Sequence, residues 1–203
     1  MQKPAFILRI KAILVTAATI FLVPAAQAGM FNLVKFVEPD HWSLGLEPEL
    51  TLGEDSGAGI NLKTLSHLSD WTNLGITLGT GGGPRQFRVG TSLVFDAFPD
   101  VNEQPGIGIA AQIFYYKLRE KGQLEVSAVP YIHKRFKSGE HEIEPFFGIP
   151  IGWAFHPEHT KMFSSLQVGS LFHQTQNLSF VFEMGVNVSN YFTTVSGGVA
   201  YYH

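Results

Sequence analysis

Apolar side chains fall on every second position through the C-terminal stretch 178–203, in two consecutive runs. In the first run Phe182 and Met184 share one face, and the residues that follow each of them, a glutamate and a glycine, lie on the other. A period of two is typical of a β-strand, because successive side chains of a strand point to opposite faces. The runs meet at Ser189-Asn190, where asparagine tolerates the positive φ of a tight turn. Two antiparallel strands are therefore predicted to end the chain.

The same alternation begins at His41 and continues almost without interruption. It predicts an all-β fold, an antiparallel up-and-down transmembrane β-barrel of about ten strands, each roughly 9 to 14 residues long. Each predicted strand is recognised by its stripe, the set of apolar residues on alternate positions. The weakest stripe holds only Ile60 and Leu62. If this strand does not form, nine strands remain, and an odd number cannot close as a simple antiparallel barrel, so eight strands is the alternative. The predicted stripes are 42–52, 60–62, 74–78, 87–95, 107–115, 124–132, 143–155, 166–172, 178–188 and 191–201.

A basic N-terminal segment precedes a short apolar run at 12–23 and an Ala-Gln-Ala site. The run is shorter than the ~20 residues that a membrane helix needs, which disfavours a retained anchor helix. These are the parts of a secretory signal peptide that is exported by the Sec route and removed. The next residues have helical apolar spacing and form either a short interfacial helix or a frayed end. The predicted organisation is 1–28 signal peptide, 29–40 N-terminal periplasmic segment and 41–203 barrel.

Composition narrows the class of protein. Charged residues make up 15% of the chain, where soluble domains average about 25%. The chain has no cysteine, which excludes disulfides and thiolate sites, and a net charge of -3 without a basic stripe, which argues against nucleic acid. A mean hydropathy of +0.10 without a second helix-length apolar segment predicts an outer-membrane β-barrel, with a soluble sandwich or lipocalin-like barrel as the alternative.

Aromatic residues give a second pattern. In a transmembrane barrel, outward aromatic side chains belong at strand ends near the two membrane interfaces. Phe147 and Phe180 lie nearer mid-strand, but most outward aromatics fall at strand ends when the N-terminus is periplasmic. The predicted aromatic girdle comprises Trp42, Phe95, Phe172 and Tyr201 at periplasmic ends and Phe87, Tyr115, Trp153, Phe155 and Tyr191 at outer ends.

In these features the chain resembles bacterial outer-membrane β-barrel proteins as a class. The segments 65–75 and 174–185 are similar to the short periplasmic turn and following strand of that class, and aromatic Tyr201 is in phase in the last strand. The resemblance covers 41–203 and implies insertion by the barrel-assembly machinery of a Gram-negative bacterium. One departure is the last residue, His203, where the assembly signal of the class usually has an aromatic residue, most often phenylalanine.

Polar side chains occupy the opposite face of the predicted strands and would point into the lumen. A barrel of this size is just wide enough for its side chains to fill, so these groups are predicted to pair with one another. The bases Lys63, Arg88 and Arg135 are fewer than the acids, so any ion that passes is predicted to be a cation. The predicted lumen charge network is Glu47, Glu49, Lys63, Arg88, Asp96, Glu125, Arg135, Glu144 and Glu183, with Asn61, Gln112, His133 and Gln167 as further inward groups.

Two His-x-Ser pairs, His41-x-Ser43 and His67-x-Ser69, resemble the motif in which outer-membrane lipid A deacylases use a histidine base to activate a serine. Both pairs lie at predicted periplasmic ends, whereas a lipid A site belongs near the outer leaflet. No glutamate follows at the place where it would orient the base. A lipid A-modifying enzyme is therefore the least favoured function.

Two further motifs are interpreted as loops. The stretch 156–159, His-Pro-Glu-His, has metal-like spacing, but a metal needs three or four ligands in fixed geometry. The glycines of 79–83 lack the Gly-Lys-Ser/Thr of a phosphate loop. The sequence thus predicts no catalytic residue, no cofactor and no metal ligand.

The favoured function is an integral outer-membrane barrel with a structural or interaction role and a mostly plugged lumen. The alternative is a porin-like, narrow, cation-preferring channel for small solutes. The predicted loops are short, unlike those of adhesins or receptor barrels. The predicted partners are outer-membrane lipid, lipopolysaccharide and the barrel-assembly machinery, with no nucleic acid.

The signal-peptide pattern makes a direct prediction about processing. Cleavage after Ala28 gives a mature protein that begins at Gly29 and fractionates with the outer membrane. Intact-mass measurement of the protein from membrane fractions checks both points. Retention of Met1, or a fully soluble periplasmic pool, would contradict the prediction.

Overall fold

The structure is a computed structural model that describes residues 37–53, 56–83, 85–118, 121–139 and 141–203. The predicted signal peptide and positions 29–36 of the predicted periplasmic segment lie outside this part of the chain. No helix within it is long and apolar enough to cross a membrane. Its strands are β1 (Trp42–Leu52), β2 (Gly57–Ser69), β3 (Thr72–Gly81), β4 (Phe87–Phe98), β5 (Gly106–Leu118), β6 (Lys121–His133), β7 (Phe136–Ser138), β8 (His141–Gly148), β9 (Ile151–Phe155), β10 (Thr160–His173), β11 (Leu178–Ser189) and β12 (Thr193–Tyr202).

The first and last strands pair with each other and close the sheet into a barrel. β12 runs antiparallel to β1, with Leu44 opposite Tyr201 and Leu50 opposite Val195. All other neighbours around the barrel are also antiparallel. A closed sheet leaves no strand with an unpaired edge. The fold is an all-β, closed, antiparallel barrel with ten strand positions, as predicted from the alternation.

One of the ten positions is shared by β8 and β9, which form a single strand interrupted at Pro150. Gly148 of β8 pairs with Tyr131, and Ile151 of β9 pairs with Ala128, in one unbroken register with β6. Proline has no N–H to donate to the ladder, so the regular pairing stops there and resumes beyond it.

The hairpin formed by β7 and β8 extends beyond the barrel rim, because β7 continues the register of β6 but pairs with β8 alone. Asp100 ties a neighbouring loop to this hairpin. It accepts hydrogen bonds from Lys134 Nζ at 2.5 Å and from the backbone N–H of Arg135 at 2.6 Å. Burial alone would raise the pKa of Asp100, but these hydrogen bonds and the charge of Lys134 lower it, so the carboxylate stays ionised.

The strand with the weakest sequence signal is fully formed. β2 has 13 residues and pairs along its length with β1 and β3. Its stripe is weak because small or polar residues, Ala58, Thr64 and Ser66, occupy outward positions beside Ile60 and Leu62. The eight-stranded alternative is therefore wrong, and the count of ten is confirmed.

Apolar side chains face outward and polar ones face inward around the whole barrel. Outward Leu46 is 45% exposed and outward Phe182 is 52% exposed, whereas inward Glu47 and Glu183 are fully buried. This is the reverse of the usual arrangement in soluble proteins, whose buried groups are mainly apolar. We call the end with the start of β1 and the end of β12 the termini end, and the opposite end the loop end.

One layer of the interior is an exception to this polarity. Eight strand positions each place one apolar side chain at a common level, between the inward polar groups of the loop end and those of the termini end. Glycines of β1 and β3, Gly45 and Gly75, stand beside this level. All eight side chains are at most 5% exposed, so the layer separates two polar compartments. We call this layer the apolar ring; its members are Leu65, Val94, Ala110, Val129, Phe146, Leu171, Val181 and Ala200.

Candidate functional site

Charged groups on the loop-end side of the apolar ring form a connected cluster. Lys63 Nζ lies 2.6 Å from Glu47 Oε2, and Asn61 Nδ2 donates a hydrogen bond to Glu47 Oε1 at 3.1 Å. Asn61 also donates to Glu49 Oε2 at 2.5 Å. These contacts form because Asn61 is directly opposite Glu47 in the β1–β2 ladder, where side chains on one face are neighbours.

Two arginines bring positive charge to Glu49. Arg85 Nη1 is 3.3 Å from Glu49 Oε1, and Arg88 Nη1 is 3.2 Å from Glu49 Oε2. Arg88 is an inward residue of β4 and was expected in the lumen. Arg85 precedes β4, yet it is only 5% exposed, so its side chain folds back into the mouth of the barrel. The sequence analysis missed Arg85 because strand alternation does not extend into loops.

Aromatic rings cover both guanidinium groups. The centre of the Arg85 guanidinium is 4.8 Å from the Tyr116 ring and 4.6 Å from the Phe192 ring, and that of Arg88 is 4.4 Å from the Phe114 ring. Cation–π contacts of this kind are strongest where water is excluded. Phe114 and Tyr116 are inward residues of β5, so the same strand alternation that placed the charged groups in the lumen also predicts that these two rings point inward.

The contribution of Arg85 changes the charge count of the lumen. Gln123 donates to Glu125. With Glu125 and Glu183, the loop-end side of the apolar ring holds four buried carboxylates and three buried bases. The predicted excess of acids is therefore smaller than the sequence suggested. We call the group the loop-end cluster; its charged members are Glu47, Glu49, Glu125, Lys63, Arg85 and Arg88.

A second cluster, on the other side of the apolar ring, is centred on one fully buried carboxylate. Glu144 Oε1 accepts from His133 Nδ1 at 2.7 Å, and its Oε2 accepts from His173 Nε2 at 2.9 Å. The Arg135 guanidinium lies 3.3 Å from the same oxygen. On its other side, His173 Nδ1 lies 2.8 Å from Ser179 Oγ. We call these five residues the termini-end cluster.

A cavity of about 560 Å³ opens at the termini end beside this cluster. Its lining includes His173, Arg135, Glu142 and Tyr202. The sequence analysis did not propose His173 or Ser179 as site residues, although both are in phase with inward positions of β10 and β11. The sequence did not predict the contact between His173 and Ser179, because that contact depends on which residues of the two strands face each other.

The structure places seven of the nine predicted network residues in the buried interior, and the other two, Arg135 and Asp96, at less buried positions. Arg135 was expected in the lumen, but it follows the end of β6 and its side chain is 38% exposed at the rim. Asp96 is half-buried, and its Oδ1 has no hydrogen-bond partner among the described residues. The seven buried residues are Glu47, Glu49, Lys63, Arg88, Glu125, Glu144 and Glu183.

Tyr191 was predicted in the outward girdle, and this assignment is wrong. Its ring stacks on that of inward Phe163 at 4.6 Å and lies 5.5 Å from the Arg85 guanidinium, so it faces the interior. The reason is that Asn190, with φ of 51°, reverses the chain just before it, and alternation does not apply within the turn. The other eight predicted girdle residues are outward and at least 37% exposed: Trp42, Phe87, Phe95, Tyr115, Trp153, Phe155, Phe172 and Tyr201.

In both His-x-Ser pairs the histidine Nδ1 contacts a backbone carbonyl and not the serine. His41 Nδ1 and His67 Nδ1 both contact backbone carbonyls, those of Pro39 and Val37, at 2.8 and 3.2 Å. In the loop between β9 and β10 the His156 and His159 rings stack at 4.5 Å. The part of the chain that the structure describes contains no group of three histidine, aspartate or glutamate side chains able to hold a metal ion.

Comparison with known proteins adds no assignment. No family model matches the chain, and no curated protein matches it in sequence. The fold and the two interior clusters are therefore the basis for a functional proposal.

The loop-end cluster makes a prediction about stability. Lys63→Met leaves the fully buried Glu47 without its ammonium partner and should lower the free energy of unfolding by about 3 to 5 kcal/mol. Urea titration of the refolded barrel measures the change. The double variant Glu47→Gln/Lys63→Met should lose less than Lys63→Met alone, because it leaves no unpaired charge.

The matched control is an ion pair of the same residue types at the surface. Lys121 Nζ is 2.6 Å from Glu158 Oε1, but the two side chains are 62% and 69% exposed. Lys121→Met should therefore leave stability almost unchanged. Equal losses for Lys63→Met and Lys121→Met would contradict the account of the interior.

Proposed function

We propose that this chain is an integral outer-membrane β-barrel protein whose lumen is closed by its own side chains, and that its role is structural or one of interaction. The observation that carries the proposal is the polarity of the barrel, with a continuous apolar outer face around a charged interior. In water such an outer face is unfavourable, because large contiguous apolar patches drive association. In hydrocarbon it is the favourable arrangement, since a closed barrel satisfies every ladder hydrogen bond.

The size of the barrel fits a bilayer. Apart from the interrupted position, its strands have 10 to 14 residues. A tilted strand needs about 9 to 11 residues to cross the hydrocarbon core. Aromatic rings lie at both ends of the outer face, with Trp42 and Tyr201 6.2 Å apart at the termini end and Trp153 toward the loop end, which matches the belts of the two interfaces. The N-terminal signal-peptide pattern supports export, and the contacting partners would be outer-membrane lipid, lipopolysaccharide and the barrel-assembly machinery.

The interior favours a closed barrel over a channel. The apolar ring crosses the lumen, and hydrophobic constrictions oppose the passage of water and ions. On the loop-end side Arg85 and Arg88 neutralise carboxylates that were expected to attract cations. The narrow cation-preferring channel therefore receives no specific support from the geometry.

The outer face supplies a test of membrane insertion. Phe182 lies in the middle of β11 and Val188 near its end, both on the outward side. Phe182→Arg should cost about 2 to 4 kcal/mol of folding free energy at mid-bilayer, and Val188→Arg only about 0 to 1 near the interface. Folding into vesicles, followed by the heat-modifiable gel shift of the barrel, measures both. Identical behaviour of the two variants would show that the outer face does not meet hydrocarbon.

The apolar ring supplies a test of closure. The wild-type protein in planar bilayers should show no large conductance. Phe146→Ala removes the largest side chain of the ring and should raise the leak, whereas Phe147→Ala, at the adjacent outward position, should not. A large conductance in the wild type, or a leak that Phe147→Ala raises equally, would favour the channel instead.

A further inference from the structure

The termini-end cluster contains a chain of contacts between a hydroxyl, an imidazole and a carboxylate. Ser179 Oγ is 2.8 Å from His173 Nδ1, and His173 Nε2 is 2.9 Å from Glu144 Oε2. This is the connectivity by which a serine nucleophile, a histidine base and an orienting acid work together. It arises here from ladder pairing, because His173 is directly opposite Ser179 between β10 and β11.

The surroundings of Glu144 fix the proton positions. His133 and Arg135 donate to Glu144 as well, so the carboxylate is held in its ionised form and acts only as an acceptor. His173 then donates its Nε2–H to Glu144 and turns its Nδ1 lone pair toward Ser179. In that tautomer Nδ1 is the atom that accepts the serine proton.

A fourth polar group, the phenol of Tyr202, lies beside the nucleophile. Tyr202 lies within hydrogen-bond reach of Ser179. Its backbone is held on both sides by Asn177, whose Nδ2 donates to Tyr202 O at 2.6 Å and whose carbonyl accepts from Tyr202 N at 2.8 Å. A fixed phenol beside the nucleophile can donate to the negative oxygen of a tetrahedral intermediate.

We infer that Ser179, His173 and Glu144, with Tyr202 as oxyanion donor, form a site that hydrolyses carboxylic esters of a small acyl group. This activity goes beyond the proposed structural role and does not depend on it. Ser179 and His173 act as nucleophile and base, Tyr202 contacts the oxyanion, and Glu144 is a positioning residue.

The cavity and the burial of the serine define the substrate class. Ser179 is fully buried and does not itself line the cavity, whereas the two side chains beside it, His173 and Tyr202, do. Because the serine lies behind these two side chains, the inferred substrate carries a small acyl group, of about acetyl size, and not a long chain. The alcohol part would remain in the cavity, whose lining is polar and includes Arg135, Glu142 and the turn 174–177.

The reaction is balanced without a cofactor. Ser179 Oγ bonds to the ester carbonyl carbon as its proton moves to His173 Nδ1. The carbon–alkoxide bond then breaks, and the alkoxide leaves as the alcohol with that proton. A water molecule next gives a proton to His173 and attacks the acyl carbon, which releases the carboxylic acid and returns the proton to Ser179.

The direct test uses the folded full chain in detergent micelles, with folding verified by the gel shift. Diisopropyl fluorophosphate, a small serine reagent, should label one residue, and peptide mapping should place the label on Ser179. The protein should hydrolyse p-nitrophenyl acetate but not p-nitrophenyl palmitate. Absence of the label on folded wild-type protein would overturn the inference without affecting the proposed barrel.

Variants separate catalysis from folding. Ser179→Ala should abolish labelling and hydrolysis, and His173→Asn should lower the rate by about 100-fold to 10,000-fold. Ser196→Ala is the matched control: Ser196 is equally buried and inward on β12, and its Oγ has no hydrogen-bond partner among the described residues. Hydrolysis that survives Ser179→Ala, or that Ser196→Ala abolishes equally, would overturn the assignment.

The test of Glu144 must measure a property that a loss of structural support alone would not change. Its carboxylate stabilises the imidazolium of His173, so Glu144→Gln should shift the acidic limb of the pH–rate profile to lower pH. Glu142 at 4.0 Å also faces His173, while His133 and Arg135 contact Glu144 itself. A reduced rate with an unmoved acidic limb would remove Glu144 from the site.

Discussion

The antiparallel pairing of β1 with β12 is the contact on which the rest of the molecule depends. Because it closes the sheet, the backbone has no exposed edge, and every side chain must point either out of a narrow cylinder or into it. The outward set is apolar, and the inward set is largely polar and includes most of the buried charges. That partition turns a simple alternation along the chain into two surfaces of opposite character, and it is the basis of the proposed membrane location.

Closure also forces the charged groups together. A cylinder of ten strands leaves little room beyond its own side chains, so a carboxylate such as Glu47 or Glu144 has no access to bulk water and needs a partner inside the barrel. The partners differ at the two ends. The loop-end cluster uses Lys63, Arg85 and Arg88, whereas Glu144 is surrounded mainly by imidazoles. The apolar ring keeps the two sets apart.

This separation gives the two ends different chemistry. The loop-end cluster is dense, charge-paired and covered by aromatic rings, which suits a permanent seal. The termini-end cluster borders a cavity and contains neutral donors and acceptors whose protons can move, namely Ser179, His173 and Tyr202. A barrel that is closed in the middle can therefore combine a sealed lumen with a reactive site at one mouth, and the proposed membrane role and the inferred hydrolysis are compatible.

The sequence by itself determined the class of fold and the face to which most side chains point, because a strand has a period of two whatever it pairs with, while the structure decided between ten strands and eight. That period sufficed to place Glu47, Lys63 and Arg88 inside. It did not locate Arg85 or orient Tyr191, since loops and turns have no such period. Only the tertiary structure brought Ser179 opposite His173, because the register between strands depends on the closed sheet as a whole and not on the residues of either strand.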